Sequence, residues 1–261
     1  MRPLYIVLFI ILFVSCEPEE TTVIDEEILI TDIEFYPEER YSGNDQSLPT
    51  LKLALRTSEI YPCFNYQIDF DESFKNNEMT INITGIHKPD LCLAAFGPAY
   101  GFLELPETTE KLKIERAEKT DVYEVNINSK QIEILPKNAE FTDLVNTVTF
   151  RYPENSFAVV CGTNLEQTDL CANFLEKLDD ISSLSSYTFP SNGRIPYPDS
   201  SSGNWNNTPS KYFIYENEST FENVLQQFEM FVQDSLSPDD GNSIGIITWD
   251  NRTYYSYELL E

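Results

Sequence analysis

Histidine is almost missing from this 261-residue chain, where His87 stands alone. A multi-histidine zinc site is therefore excluded, and any scheme that needs an imidazole has a single candidate. Basic residues are scarce: 17 Lys plus Arg face 44 Asp plus Glu, for a formal net charge of -27. So anionic a chain repels nucleic-acid phosphates, which excludes a backbone-reading nucleic-acid binder. No apolar run is long enough to span a bilayer. The longest, Leu4–Val14, covers about 16 Å as a helix against a hydrocarbon core of about 30 Å. CxxC spacing and the EF-hand pattern are absent too, and no internal repeat is present. What the chain does have is 41% hydrophobic and 13% aromatic residues, enough to build a buried core at a length that accommodates two domains.

The N-terminus reads as a targeting segment. Arg2 supplies a short positive region and Leu4–Val14 an apolar one, too short to cross a membrane but suited to a signal peptide. Phe13-Val14-Ser15-Cys16 follows directly and resembles the lipobox of bacterial lipoproteins, with Phe13 where Leu is usual. The resemblance implies that residues 1–15 are removed and that the Cys16 thiol carries acyl chains such as palmitate. Two or more chains anchor a protein stably, each buried methylene contributing roughly 0.8 kcal/mol. Residues 16–26 are acidic and without hydrophobic pattern, so they read as a solvated tether. Acidic residues just after the cysteine resemble the surface-export signal of Bacteroidota lipoproteins. The expected location is the cell envelope, lipid-anchored to the outer membrane and surface-exposed, with the membrane itself as one partner through Cys16.

Four further cysteines remain: Cys63, Cys92, Cys161 and Cys171. In an oxidising compartment an even number favours disulfides. Three pairings are open, and Cys63–Cys92 with Cys161–Cys171 is favoured because each bridge then stays within one expected domain. Each would contribute on the order of 3 kcal/mol in the chain-entropy model.

From about residue 25 to 137 the hydrophobic period is two. Leu51, Leu53 and Leu55 alternate with Lys52, Ala54 and Arg56. The same alternation runs through Phe64–Phe70, Met79–Ile83 and Tyr123–Ile127, with further strands expected at Ile28–Phe35, Gly101–Leu105, Leu112–Arg116 and Gln131–Leu135. One face in and one face out marks antiparallel sheets over a shared core. The region Asp121–Ile127, with a tyrosine early in a late strand, resembles an immunoglobulin-type module, although no tryptophan lies in this half. Lys111, Lys113 and Glu115, interleaved with Leu112 and Ile114, suggest a charged edge strand.

After about residue 140 the period changes. Val148–Tyr152 and Ser156–Cys161 read as strands, and Thr163 with Glu166 as a capping box opening a helix whose stripe is Leu170, Cys171, Phe174, Leu175 and Leu178. Ser219 with Glu222 opens a second, striped by Phe221, Val224, Leu225, Phe228, Phe231 and Val232. Lys211–Glu216 is a strand, and Ser243–Trp249 with Thr253–Leu259 a hairpin around Asp250-Asn251. The fold class expected is mostly β with a smaller α+β part: an immunoglobulin-like β-sandwich over 27–137, then a ββαβαββ domain over 138–261 with a long loop at 181–210.

That loop carries Tyr187, Phe189, Arg194, Tyr197 and Trp205 among Ser, Pro, Asn and Gly. Such rings either bind a sugar or protein partner or pin the loop onto the body. Gly241-Asn242-Ser243-Ile244-Gly245 matches G-x-S-x-G on paper, but a nucleophile elbow needs a strand before the serine and a helix after it. Here the order is reversed. Asp69 with Asp71 and Glu72, or Asp239-Asp240, leave room for a weak Ca²⁺ site and no other cofactor. The expected function is a non-enzymatic, lipid-anchored binding or scaffold module for a protein or glycan partner. Alternatives are an envelope hydrolase using carboxylates, or an inhibitor or immunity-type protein.

Overall fold

Alternating apolar residues build a large sheet whose inner face is one continuous core. In the computed structural model, which describes residues 31–190, 192–199 and 206–260, ten strands form this sheet. They are β1 (Ile33–Arg40), β2 (Thr50–Thr57), β3 (Gln67–Lys75), β4 (Glu78–His87), β5 (Tyr100–Glu104), β6 (Lys111–Arg116), β7 (Lys119–Ile127), β8 (Gln131–Asn138), β9 (Thr142–Leu144) and β10 (Val148–Phe150). Their order is β10-β8-β7-β6-β4-β3-β5-β2-β1-β9. The sheet is curled: Phe35 of β1 meets Tyr123 of β7 edge-on with ring centroids 4.8 Å apart, although five strands separate theirs in the ladder. Leu53, Leu55, Ile81, Leu112, Ile114, Ile132 and Ile134 fill the space between.

The two ends of the ladder are occupied by consecutive short strands. β9 pairs parallel with β1 and β10 antiparallel with β8, so residues 142–150 stitch the sheet's two margins together. The domain boundary expected at 137/138 therefore falls inside this sheet. Buried Asp121 fastens the stitch. One carboxylate oxygen accepts from Glu140 N at 2.9 Å, and the other from Phe141 N at 3.0 Å, Thr142 N at 2.8 Å and Thr142 Oγ1 at 2.5 Å. The Tyr123 hydroxyl lies 2.6 Å from Thr142 Oγ1, and burial pushes it up to about 12.

Three expectations need correction here. The strand Leu112–Arg116 is no edge: β6 lies between β4 and β7, and Lys111 and Lys113 meet Glu78 at 2.9 and 2.6 Å. Of the strand expected at Ile28–Phe35, residues 28–30 lie outside the described residues, and β1 begins at Ile33 and runs on to Arg40. The alternation expected through Phe64–Phe70 holds at Tyr66 and Ile68 but not at Phe64, which is exposed in the turn before β3, and a bulge between Asp69 and Phe70 shifts the register and leaves Phe70 half-buried.

The second sheet is antiparallel throughout. It comprises β11 (Ser156–Thr163), β12 (Leu184–Tyr187), β13 (Asn206–Tyr215), β14 (Ser243–Thr248) and β15 (Thr253–Tyr255), in the order β12-β13-β11-β14-β15. Helices α1 (Leu170–Asp179) and α2 (Glu218–Ser235) cover one face, packing Phe174, Leu178, Phe221, Val224, Phe228 and Val232 onto Phe157, Val159, Phe213, Ile244 and Ile246. Both expected helix starts shift. Thr163 ends β11, and Asn164 Oδ1 instead closes a turn on the Glu166 and Gln167 amides, so α1 begins later. Asn217, not Ser219, caps α2, its side chain accepting from Thr220 N at 3.0 Å. With 148–150 in the large sheet and β12 arising inside the long loop, the order becomes βαββαββ.

The sheet's other face is covered by the loop that follows β12. Phe189 and Tyr197 bury themselves with Ala158 of β11 and Phe150 of β10, so this third core joins the two sheets. Arg151 adds a polar joint, its guanidinium reaching Glu39 at 2.8 Å and both carboxylate oxygens of Glu107 at 2.8 Å. Residues 41–47 dock on the β14–β15 turn: Tyr41 Oη donates to Trp249 O and Gln46 Nε2 to Asp250 Oδ2, both at 2.7 Å. The disulfides are Cys63–Cys92 and Cys161–Cys171. Among the described residues no helix is long and apolar enough to cross a membrane; the signal segment, Cys16, the tether and Trp205 lie outside them.

Candidate functional site

Among its described residues the aromatic loop turns its rings onto the body, one of the two roles that its composition left open. Phe189 and Tyr197 are buried and Tyr187 is half-buried, its ring edge-on to Phe189 at 5.0 Å. The Tyr197 hydroxyl lies 2.8 Å from Ser156 Oγ, and burial holds it well above the usual phenol range. These rings pin the loop to the body because Phe150, from the other sheet, completes an apolar pocket for them. Arg194 is different. Its guanidinium lies 4.3 Å from the Tyr36 ring centroid and 2.9 Å from Glu38, which brings it onto the outer face of the large sheet.

That outer face follows from strand register. Tyr36 of β1, Ala54 of β2 and Phe102 of β5 form one cross-strand row; Glu34, Arg56 and Tyr100 form the next, and Glu38, Lys52 and Glu104 the one beyond. Ala54, in the middle of the first row, is buried beneath its larger neighbours. Tyr100 and Phe102 are stacked, with centroids 6.1 Å apart and ring planes within 5° of parallel. Arg40 reaches over Phe102 at 4.0 Å. Each cation has a carboxylate neighbour: Arg56 with Glu34 at 2.5 Å, Lys52 with Glu104 at 3.0 Å, and Arg40 with Glu38 at 3.5 Å. Arg40, Lys52, Arg56 and Arg194 against three glutamates make this face close to neutral on a chain whose net charge is -27. Burial, followed by the Glu38 carboxylate, raises the Tyr36 hydroxyl above its ordinary value.

Beside the platform the sheet splits. β3 and β5 pair only at Gln67 with Tyr100, and beyond that point the strands part. The seam is a groove of about 480 Å³ lined by Phe64, Asn65, Gln67, Asp69, Tyr100 and Phe102 among others. Gly101 permits the close approach of Phe70, since a side-chain carbon there would meet the ring at 3.1 Å. The volume lies within the ordinary range for small-ligand sites. Flat rings can cover the C–H face of a sugar, while guanidinium, amide and carboxylate groups around them donate to and accept from its hydroxyls.

Sequence reasoning passed over this face. Its one local signal is Tyr100-Gly101-Phe102-Leu103-Glu104, where alternation puts two aromatics on the solvent side of a strand whose Leu103 points inward. The remaining motifs stay apart from it. His87 is exposed at the end of β4. Gly241, at φ +68°, turns the chain between α2 and β14, so G-x-S-x-G is a helix-to-strand turn. Asp69, Asp71 and Glu72 are exposed along β3, and Asp240 accepts from Ser237 N at 3.1 Å. No group of three or more His, Cys, Asp or Glu converges to hold a metal among the described residues, so the expected calcium site has no assembled ligand set there. Compared with known protein families, curated proteins and solved structures, the chain matches none.

Proposed function

We propose that the protein is a lipid-anchored binding module of the bacterial cell envelope, displayed from the outer membrane through Cys16, that recognises a glycan. In this reading the β unit, an immunoglobulin-like sandwich in architecture, is the recognition module. Its outer β1–β2–β5 face stacks on sugar rings, and the β3–β5 seam receives a neighbouring residue of the same chain of sugars. The α/β unit is a scaffold that brings Arg194 to Tyr36. The observation that carries the reading is the parallel, stacked Tyr100–Phe102 pair, ringed by paired charges, with Phe102 open to solvent and Tyr100 half-buried.

Calorimetric titration with a neutral β-glucan, a xylan and a polyuronate tests it. At least one polymer binds the unaltered protein, and Phe102→Ala weakens that binding roughly tenfold, the effect of a contact of about 1.4 kcal/mol. Phe102 is 44% exposed, so its removal leaves thermal unfolding nearly unchanged. Silence toward all three polymers, or binding indifferent to both Tyr100→Ala and Phe102→Ala, overturns the proposal. Cys16→Ala separately releases the protein from the membrane fraction, and an unmodified Cys16 in the native protein overturns the anchor.

A further inference from the structure

One end of the β unit carries an apolar loop that the glycan face does not use. Residues Leu91-Cys92-Leu93-Ala94-Ala95-Phe96 are all exposed, with Leu91 at 74% and Phe96 at 81%; Ile60 and Phe64, also exposed, come from the 58–66 segment that the disulfide ties to it. No charge interrupts this run. An apolar patch of this kind marks a surface that something covers.

The loop is held in this exposed form. Cys92 is bonded to buried Cys63, and Asn65 clamps both flanks, Nδ2 donating to Leu91 O at 2.8 Å and Oδ1 accepting from Leu93 N at 3.1 Å. Gly97 and Tyr61 exchange backbone hydrogen bonds of 2.7 and 3.1 Å at its base. With its backbone fixed before any encounter, the loop has little conformational entropy left to lose on contact.

Its position identifies the occupant. Thr31 and Asp32, where the described chain begins, lie at the same end: Ser58 N donates to Asp32 O at 2.9 Å and Glu59 N to Thr31 Oγ1 at 3.1 Å. The α/β unit docks elsewhere, on the opposite strand ends, through Glu39, residues 41–47 and Glu107. Residues 17–30, which connect Thr31 to Cys16, reach at most about 50 Å when fully extended and let the body settle onto the surface when slack.

We propose that loop 91–96 is a bilayer-docking element whose Leu91, Leu93 and Phe96 side chains enter the interfacial layer of the membrane that holds Cys16. The inference rests on the lipid-anchor reading. It sets the orientation: loop end down, α/β unit away from the membrane, glycan face to the side. A strongly anionic chain fits a zwitterionic surface better than an acidic one.

The test uses the full lipidated chain carrying Phe96→Trp in phosphatidylcholine vesicles with lipids brominated near the top of the acyl chains. Emission shifts to the blue and is quenched, beyond the signal from Trp205 and Trp249 read in the unaltered protein. A soluble Cys16→Ser chain carrying Phe96→Trp responds in the same way at raised lipid concentration. Adding Leu91→Ser to Cys16→Ser lowers its vesicle partition severalfold. Absence of quenching while Cys16 bears its acyl mass overturns the loop and leaves the anchor standing. A missing acyl mass with quenching in the soluble chain overturns the anchor and leaves the loop standing. A blue shift that follows protein concentration and ignores bromine makes the loop a contact between copies of the chain, and overturns the proposal.

Discussion

In the β unit, the crossing that closes the sheet depends on one carboxylate, Asp121, which takes three backbone amides and a hydroxyl of residues 140–142. In the α/β unit, closure is spread over rings: Phe174 packs at 5.6 Å from Phe228 and 5.3 Å from Phe231, and Phe157 at 5.6 Å from Phe221. A polar clamp concentrates stability in a few directional bonds whose loss strands buried donors. A ring cluster shares it among many weak contacts that can shift. The β unit should therefore fail at points, and the α/β unit should fail gradually.

The largest expected effect breaks the clamp. Asp121→Ala leaves three amides without a partner and costs about 3–5 kcal/mol in urea unfolding. A cost below about 1 kcal/mol would end the contrast between the units. Next come the disulfides. Cys63–Cys92 closes the longer loop, with a sequence separation of 29 against 10 for Cys161–Cys171, and its Cys92 is exposed whereas Cys161 and Cys171 are buried. Mild reductant opens it first, and loss of that bridge lowers stability by roughly 3 kcal/mol. Peptide mapping with thiol alkylation reads the order, and simultaneous opening contradicts it.

Alkaline pH probes both units together. Burial pushes the Tyr123 hydroxyl in the β unit and the Tyr152 hydroxyl at the joint between units up to about 12. Their folded values exceed the unfolded phenol value of about 10, so the folded state holds more protons between the two. Stability from these groups is complete below about pH 10 and lost as pH rises toward about 12. Tyr152→Phe flattens that fall in a denaturation series, and an unchanged slope refutes the assignment. The smallest effect lies in the ring cluster, where Phe174→Leu costs about 1 kcal/mol because its neighbours repack. A loss as large as that of Asp121→Ala would show the two cores to be sealed alike.

Much of the fold was legible in local pattern. Leu51, Leu53 and Leu55 declared an inward face, the Phe221–Val232 stripe a buried helix side, and the placing of two cysteines in each half the favoured pair of local bridges. What the chain concealed lies where two partners compete or meet from afar. Asn217 and Ser219, two residues apart, both suit a helix cap, and only the packing of α2 decides between them. Lys111 and Lys113 looked like an edge because their partner Glu78 sits on β4, more than thirty residues earlier. Phe189 and Tyr197 left two roles open because Phe150, which buries them, belongs to another sheet. Half of the candidate site could be seen in Tyr100-Gly101-Phe102; the other half, Tyr36, Arg40 and Arg194, could not.

By itself the sequence determined the periods, turns and bridges, and the acidity that narrows the choice of partners, because these depend on backbone geometry and on composition within a few residues. The tertiary structure alone decided which strands became neighbours, which rings were covered and which stayed bare. Those outcomes depend on surfaces brought together across a hundred residues or more, and no local pattern records which distant side chain will take the last open place.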